Sequence, residues 1–357
     1  MAAPVIRVGI AGQGRSGFDI HAAWLRQVPD QYRIVAVADQ LEERRAEAAA
    51  AFGCRTYDDY KGLIADREVD VFVNALPSFL HPQATIEALR AGKHVVCEKP
   101  VAVRVKDIDR MIRAAEKAGR ILAPFQNSRF SPAFMKLQEV IASGVLGRII
   151  HIRINVSNFA RRWDWQTRQQ YWGGNLNNTG PHPLDQAIML FGPEEPRVFC
   201  RMGCFNPFGG DADDFCAVTL YGENSPTVEV LISSYQAYPQ GDQYSVSGTY
   251  GGLAGGSDGL RWRYFDPAEA PSHELLPGWS DKRQYCREDL PWREEKWTPP
   301  KEQIGLFHVC SRAFYNNLYD VLVNNRALVV TPAQVRRQVA VIERCHSLNP
   351  LPVREQH

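Results

Sequence analysis

Three glycines after the first apolar run of the chain form a pattern that suits the binding of an anion. Gly12, Gly14 and Gly17 follow the run Val5–Ala11 and precede a helical segment. Glycines at this spacing permit a tight turn and a close approach to a pyrophosphate, while the helix N-terminus offers N–H groups. Asp39 ends the second apolar run, where a carboxylate accepts hydrogen bonds from ribose hydroxyls. We predict a dinucleotide site that favours NAD, because the acid repels the 2′-phosphate of NADP.

Two side chains could move a proton beside this site. Lys99 comes at the carboxyl end of a predicted strand, where open α/β sheets place their ligands. His182 begins a predicted helix, whose N-terminal dipole keeps the imidazole neutral. Oxidation of an alcohol needs a base with a pKa of about 7 and a donor that stabilises an alkoxide. We expect Lys99 to polarise a hydroxyl and His182 to take its proton, with Asp185 one helical turn on orienting the ring.

The segment before His182 combines aromatic and charged side chains of a kind that binds sugars. Aromatic rings stack on sugar C–H surfaces, while Asp and Arg side chains hydrogen-bond to paired hydroxyls. The same segment could instead be an aromatic cluster that braces a loop. Asn178 also has two interpretations, since it can line the site or cap the helix that carries His182. The candidate substrate residues are Arg162, Trp163, Asp164, Trp165, Asn178 and Asp185.

The pattern of predicted strands and helices that must position these residues changes near Phe125. Before it, apolar runs alternate with helical segments at a rhythm typical of a parallel sheet covered on both faces. After it, β-branched and aromatic runs predict a large, mostly antiparallel sheet; they are Arg148–Val156, Asp214–Tyr221, Thr227–Tyr235 and Gln243–Tyr250. We predict an α/β protein with a doubly wound Rossmann sheet over 1–125 and an α+β domain with an open-faced sheet over 126–357.

The last hundred residues add an irregular stretch and two helices. Residues 251–300 are rich in Gly, Pro and Trp, which predicts an ordered excursion because a disordered linker carries fewer aromatics. Helices are predicted over 304–324 and 332–346, the second capped by Thr331.

Composition narrows the classes of function. The 357 residues include 41 Lys and Arg against 40 Asp and Glu, so a nucleic-acid partner is not expected. No run reaches the roughly 18 apolar residues of a membrane span, and the N-terminus lacks the features of a signal peptide. The eight cysteines show no metal-ligand spacing, which predicts free thiols in the cytoplasm and no metal.

Four segments in order make the chain similar to the Gfo/Idh/MocA family, that of glucose-fructose oxidoreductase and inositol dehydrogenase. They are Asn74–Pro77 with His81, Glu98–Pro100, Asn127–Pro132 and Gly173–Asp185. The resemblance implies a Rossmann domain followed by an open-faced sheet that supports a homodimer or homotetramer. It also implies NAD(P)-dependent oxidation or reduction of a sugar, inositol or related alcohol, with Lys99 and His182 at the reacting hydroxyl.

The expected cofactor residues come from the glycine motif and from the resemblance. They are Gly12, Gln13, Gly14, Arg15, Ser16, Gly17, Asp39, Asn74, Leu76, Pro77, His81, Glu98, Lys99 and Asn127. A cis Lys99–Pro100 bond is predicted to turn the lysine toward the nicotinamide. One position departs from the family, which commonly has an aspartate where this chain has Asn178. A neutral amide does not hold Lys99 charged, so its pKa should be lower than in relatives with the acid.

The function favoured by these residues is an NAD-dependent dehydrogenase that acts on a small-molecule sugar, glycoside or polyol. An alternative is a glycoside hydrolase or lyase that oxidises the sugar, eliminates the aglycone and restores NAD. A third is a dinucleotide-binding regulator without turnover. Net formation of NADH separates the first from the second, while a tight NAD complex inert to sugars would favour the third.

Overall fold

Two sheets organise the chain, of which the computed structural model describes residues 4–238, 241–276, 278, 285–303 and 306–353, apart from the side chains of 306 and 307. The first sheet has six parallel strands, β1 Ile6–Ala11, β2 Tyr32–Ala38, β3 Arg55–Tyr57, β4 Val71–Asn74, β5 His94–Cys97 and β6 Leu122–Pro124. Their spatial order, β3-β2-β1-β4-β5-β6, is that of a doubly wound dinucleotide-binding sheet, with a reversal between β1 and β4. The predicted Rossmann sheet is confirmed.

Helices cover both faces of this sheet, so its central strands are apolar on both sides. Val8, Ile10, Val73 and Val96 are completely buried. After β1 a π-helical segment, Ser16–Ala22, continues into a short helix. The helices are α1 Ala23–Leu25, α2 Glu42–Phe52, α3 Tyr60–Ala65, α4 His81–Arg90 and α5 Val105–Ala118.

The second sheet has eight strands in the order β14-β13-β12-β11-β7-β10-β9-β8. They are β7 Ile149–Asn155, β8 Arg197–Gly203, β9 Phe215–Tyr221, β10 Thr227–Ser233, β11 Tyr244–Gly248, β12 Gly251–Gly256, β13 Gly259–Tyr264 and β14 Arg293–Trp297. The pair β7–β10 is parallel and the other pairs are antiparallel. Three α-helices lie between β6 and β8 in the chain: α6 Pro132–Ala142 before β7, and α7 Asn175–Asn178 and α8 Pro181–Phe191 after it. The predicted mostly antiparallel sheet is confirmed.

Residues 251–300 differ from the expected excursion, because they contribute β12, β13 and β14 to the sheet. The strand Gly251–Gly256 is hard to recognise in the sequence, because four of its six residues are glycine. Glycine lacks the side chain that gives a strand its period of two. Gly255 has a φ of +144°, a conformation that favours glycine at this position.

The two C-terminal helices, α9 Leu306–Asn324 and α10 Pro332–Leu348, pack back on earlier parts of the chain. Phe314 and Tyr315 of α9 belong to the core of the first sheet. Thr331 caps α10 through a reciprocal capping box with Gln334, as predicted. Positions 304 and 305 of the predicted first helix lie outside the described residues.

Candidate functional site

The glycine turn after β1 has the backbone that a dinucleotide-binding loop needs. Gly12 has a φ of +88°, and a Cβ there would collide with the carbonyl oxygen of Ala75. A Cβ at Gly17 would collide with the carbonyl oxygen of Gly12, so glycine lets the following helix pack against the turn. The nearest atom to a Cβ at Gly14 would be Arg44 Nη1, 3.8 Å away, which leaves this part of the backbone open to a ligand.

Asp39 follows β2 and holds the glycine turn in place. Its Oδ2 accepts a 2.7 Å hydrogen bond from the N–H of Gln13, and its Oδ1 accepts one of 2.9 Å from the N–H of Leu41. Arg44 Nη1 lies 3.6 Å from Oδ2. Sequence analysis did not identify Arg44 as a site residue. The first turn of α2 brings its side chain back to the end of β2, a contact that sequence spacing alone does not show.

These residues form one end of a cleft of about 600 Å³, within the range of small-molecule sites. The cleft brings together the predicted residues Gly12, Gly14, Arg15, Ser16, Asp39, Leu76, Pro77, His81, Glu98, Lys99, Asn127, Arg162, Asp164, Trp165, Asn178 and His182. It also includes residues that sequence analysis missed, among them Ile20, Arg44, Ser78, Phe125, Gln166 and Thr179.

Lys99 reaches the cleft from the carboxyl end of β5. Its Nζ donates a 2.8 Å hydrogen bond to the backbone carbonyl of Asn178, and the peptide bond that follows it is cis, as predicted. Burial lowers the pKa of Lys99; the Glu98 carboxylate opposes this shift, while the charges of Arg15 and Arg162 add to it. The ammonium therefore gives up a proton more readily than it would in water.

Glu98 is buried and links Lys99 to a histidine that sequence analysis did not select. Its Oε2 accepts a 2.9 Å hydrogen bond from the N–H of Lys99, and its Oε1 lies 3.2 Å from Nε2 of His21. His21 Nδ1 lies 2.6 Å from the hydroxyl of Tyr315 on α9. Burial alone would raise the pKa of Glu98, but the contact with His21 and the charge of Lys99 lower it to about 2. Glu98 is therefore ionised at neutral pH.

His182 lies in the first turn of α8 and is half-buried. Its Nδ1 is 3.1 Å from Oγ of Ser128. When Nδ1–H donates to that hydroxyl, Nε2 carries no proton and can accept one. Burial and the positive charge of Lys99 lower the pKa of His182 to about 3, against the opposing charge of Glu98. The imidazole is therefore neutral at physiological pH with a free Nε2 acceptor, but its pKa is lower than the value of about 7 expected for the base.

Asp185 does not orient His182, contrary to the expectation from sequence. Its carboxylate binds the guanidinium of Arg129 through two hydrogen bonds of 2.5 and 2.7 Å, and the residue is 1% exposed. Burial raises the pKa of Asp185, although Arg129 opposes the shift. Because α8 turns this carboxylate into the protein interior, it lies outside the cleft. Ser128, in the segment Asn127–Pro132, makes the contact with the ring.

Asn178 lines the cleft and does not cap α8. The helix begins at Pro181 with Gly180 as its N-cap residue, and no side chain caps it. Asn178 ends α7, and its Oδ1 accepts a 3.2 Å hydrogen bond from Nε2 of Gln166. Its backbone carbonyl accepts the bond from Lys99. The capping interpretation was wrong because the chain makes a further turn between α7 and α8.

Four other predicted residues do not line the cleft. Gly17 packs the helix against the glycine turn, as described above. Gln13 and Asn74 are buried; the amide of Gln13 donates to backbone carbonyls, and that of Asn74 to a carbonyl and a threonine hydroxyl of α4. Trp163 is 77% exposed and packs edge-to-face on Phe208, with ring centroids 5.8 Å apart. Trp163 therefore fits the loop-bracing interpretation, while its neighbours Arg162, Asp164 and Trp165 line the cleft.

Metal-binding clusters and membrane-spanning helices are both absent from the described part of the chain. Among these residues no group of three or more His, Cys, Asp or Glu could hold a metal ion. Within the same ranges, no helix combines the length and the apolar character needed to cross a membrane.

Comparison with known proteins covers both halves of the chain. Residues 6–126 match the model of the oxidoreductase family with an NAD-binding Rossmann fold, and residues 134–254 match the GFO/IDH/MocA C-terminal domain. Myo-inositol 2-dehydrogenase of Thermotoga maritima is 33% identical over 250 residues, which cover 69% of this chain and 74% of that protein. An uncharacterised oxidoreductase of Schizosaccharomyces pombe is 30% identical over 52% of each chain, so the match spans about half the length of that relative.

Solved structures share the fold over nearly the whole chain. An oxidoreductase of Thermotoga maritima has a TM-score of 0.78 at 23% identity, with 96% of each chain covered. The WlbA dehydrogenase of Bordetella pertussis, solved with NADH and UDP-GlcNAcA, has a TM-score of 0.78 at 22% identity over 100% of both chains. The chain belongs to the Gfo/Idh/MocA family of oxidoreductases, and its first domain is the NAD-binding Rossmann domain of that family.

Proposed function

We propose that the protein is an NAD-dependent dehydrogenase that oxidises a hydroxyl-bearing carbon of a sugar, glycoside or polyol. The observation that carries the proposal is that Lys99 and His182 line the same cleft as the glycine turn and Asp39. A relative named myo-inositol 2-dehydrogenase aligns with 69% of this chain, which supports a polyol or sugar as substrate.

The first half of the cleft fits the cofactor on three counts. The turn has no room for a Cβ at Gly12, it leaves backbone open at Gly14, and it ends against the carboxylate of Asp39. We assign the pyrophosphate to the turn and the ribose hydroxyls to Asp39. NAD, when bound, supplies the acceptor for the hydride.

Lys99 is assigned to the oxygen of the substrate. Its Nζ already donates to a neutral carbonyl, that of Asn178, so a substrate hydroxyl can take the place of that acceptor or share the donor. An ammonium in a partly buried site stabilises negative charge as it develops on the oxygen. The lowered pKa of Lys99 also makes its N–H a stronger acid toward that oxygen.

His182 is assigned to the proton of the reacting hydroxyl. The ring is neutral because its pKa lies at about 3, and contact with Ser128 at Nδ1 leaves Nε2 as the acceptor. Glu98 is ionised and buried next to Lys99, so it offsets part of the positive charge that the site gains when the imidazole takes the proton.

The experiment that tests this proposal is a search for net NADH formation. Purified protein with NAD is incubated with inositols, aldoses, sugar acids and glycosides, and NADH and sugar product are both counted. A dehydrogenase forms one NADH for each molecule of substrate oxidised. Cleavage of a glycoside without NADH would instead establish the recycling hydrolase or lyase, and tight NAD binding without any conversion would establish a regulator.

We also propose that the protein is a dimer or tetramer whose copies join through the outer face of the second sheet. A second proposal is that it is located in the cytoplasm. Phe199 of β8 and Tyr221 of β9 alternate with buried neighbours and are 65% and 42% exposed on that face, which leaves apolar ring surface there for a partner copy to cover. All eight cysteines are free, which suits a reducing compartment. A mass of 40.2 kDa by light scattering at micromolar concentration would contradict the oligomer.

A further inference from the structure

A second pocket, of about 260 Å³, opens beside the cleft. Two residues, Arg162 and Gln166, line both the pocket and the cleft. We call this space the side pocket, and its main lining residues are Phe159, Arg162, Gln166, Phe205, Asp214 and Tyr235. No step assigned to Lys99 or His182 uses it.

Three aromatic rings give the side pocket exposed apolar surface. Phe159, Phe205 and Tyr235 are 58%, 63% and 38% exposed. Tyr235 meets both phenylalanines edge-to-face, with centroid separations of 6.4 and 6.0 Å and interplanar angles of 81° and 84°. This arrangement leaves ring faces in contact with water, and covering them with a ligand ring is favourable.

Several polar groups of the side pocket are already bonded to the protein. The Tyr235 hydroxyl donates to Asp214 Oδ2 at 2.6 Å, and the Phe205 N–H donates to Asp214 Oδ1 at 2.9 Å. Asn206 donates to the carbonyl of Arg162 at 2.9 Å, while Gln166 donates to Asn178 at 3.2 Å. A second sugar ring would have to share these donors and acceptors with the protein groups they already bind. An aromatic ring needs no such partners, so the lining favours it.

One residue, Asn178, lies between the side pocket and the groups assigned to the reaction. Asn178 connects the two, since its carbonyl accepts from Lys99 Nζ at 2.8 Å and its side chain accepts from Gln166 at 3.2 Å. Arg162 and Gln166 line both spaces, so a single ligand with two linked rings can place one ring at Lys99 and the other in the side pocket.

We propose that the side pocket binds the aromatic aglycone of a glycoside whose sugar ring lies at Lys99 and His182. The substrate class is then an aryl glycoside rather than a free sugar, an inositol or a disaccharide. This inference rests on the proposed function, because the sugar ring is placed at the residues assigned there to the reacting hydroxyl.

The test compares binding of three probes to the NADH-bound protein, in which oxidation of a glycoside is blocked. Calorimetry gives the dissociation constants of phenyl β-glucoside, methyl β-glucoside and cellobiose, and the series is repeated with galactosides and xylosides. We expect the phenyl glycoside to bind about tenfold more tightly than the methyl glycoside of the same sugar, in line with stacking on aromatic side chains. Phe205→Ala and Phe159→Ala should each bring the phenyl-to-methyl ratio toward one.

Phe208→Ala is the matched control, because Phe208 is a neighbouring half-exposed phenylalanine that packs on Trp163 and does not line the side pocket. The phenyl-to-methyl ratio should stay unchanged in that variant. Equal affinities for phenyl and methyl glycosides of every sugar, tighter binding of the disaccharide, no binding of any probe, or an equal effect of Phe208→Ala would each overturn the inference.

The same glycosides incubated with NAD report on the proposed function separately. A phenyl preference that Phe205→Ala removes, together with no NADH from any glycoside, would keep the aromatic subsite and reject the dehydrogenase. NADH formed at equal rates from phenyl and methyl glycosides, with equal affinities, would keep the dehydrogenase and reject the subsite.

Discussion

Lys99 Nζ donates a 2.8 Å hydrogen bond to the backbone carbonyl of Asn178, four residues before His182 in the sequence. The contact joins the segment that follows β5 of the Rossmann sheet to the end of α7, the short helix before α8. It places an ammonium and a neutral imidazole on one cleft, where the charge of Lys99 contributes to the low pKa of His182.

Removing the charge of Lys99 should raise the pKa of His182. The ammonium disfavours a second positive charge nearby, and in the wild-type protein it adds to the effect of burial that lowers this pKa to about 3. In Lys99→Met the value should move up toward the ordinary range, although burial keeps it below that range. Titration of the histidine side chains by NMR measures the value, with His182→Gln used to identify the signal. An unchanged or lower pKa would show that the two groups do not interact.

Restoring an acid at Asn178 should shift the pH dependence of turnover toward alkaline pH. In Asn178→Asp a carboxylate would lie close to Lys99 and His182, and it would favour the charged form of each, so both pKa values should rise. Asn178→Ala serves as the control, since it also loses the bond from Gln166 but adds no charge. Identical pH profiles for the Asp and Ala variants would remove Asn178 from the site.

The position of Arg44 next to Asp39 provides a test of the preference for NAD over NADP. NAD should bind more tightly than NADP, because Asp39 repels a 2′-phosphate. In Asp39→Ala the guanidinium of Arg44, now 3.6 Å from Asp39 Oδ2, would be free to bind that phosphate. NAD should then bind more weakly and NADP more tightly, and Asp39→Ala with Arg44→Ala should lose the gain. Dissociation constants for both cofactors decide the matter, and a wild-type preference for NADP would contradict the role of Asp39.

Much of the fold and most of the candidate site were predictable from the sequence. The glycine turn, Asp39, Lys99 and His182 could be found because each belongs to a local pattern with a fixed place at a strand or helix end. The contact of His21 with Tyr315 could not, since 294 residues separate them and the C-terminal helix α9 returns to the first sheet.

Asp185 was misplaced for a different reason. Helical spacing correctly put it one turn after His182, but spacing alone does not say which face of α8 is buried. Arg129 comes from another segment and provides the partner that allows a carboxylate to be buried there.

Glu98 should make the stability of the protein depend on acid pH. Its pKa of about 2 lies below the value of 4.5 for a free glutamate, so its contribution is present above about pH 4.5 and is lost as the pH falls toward 2. Between pH 7 and pH 4 the wild-type free energy of unfolding should fall by roughly 1 kcal/mol from this group. In Glu98→Gln that part of the loss should be absent. Urea unfolding at both pH values measures it, and an equal loss in both proteins would show that folding does not lower the pKa of Glu98.

The most direct test of the account is to compare NADH formation and NADH binding in Lys99→Met and wild-type protein, with the best substrate of the sugar and glycoside panel. We expect kcat/KM to fall by about 10²- to 10³-fold, as for the loss of a donor that stabilises negative charge developing on the substrate oxygen, while the NADH dissociation constant changes less than about threefold. Lys106→Met, at an exposed position of α5, should leave both unchanged. Undiminished turnover in Lys99→Met, or a panel in which no compound yields NADH, would contradict the assignment of this cleft to alcohol oxidation.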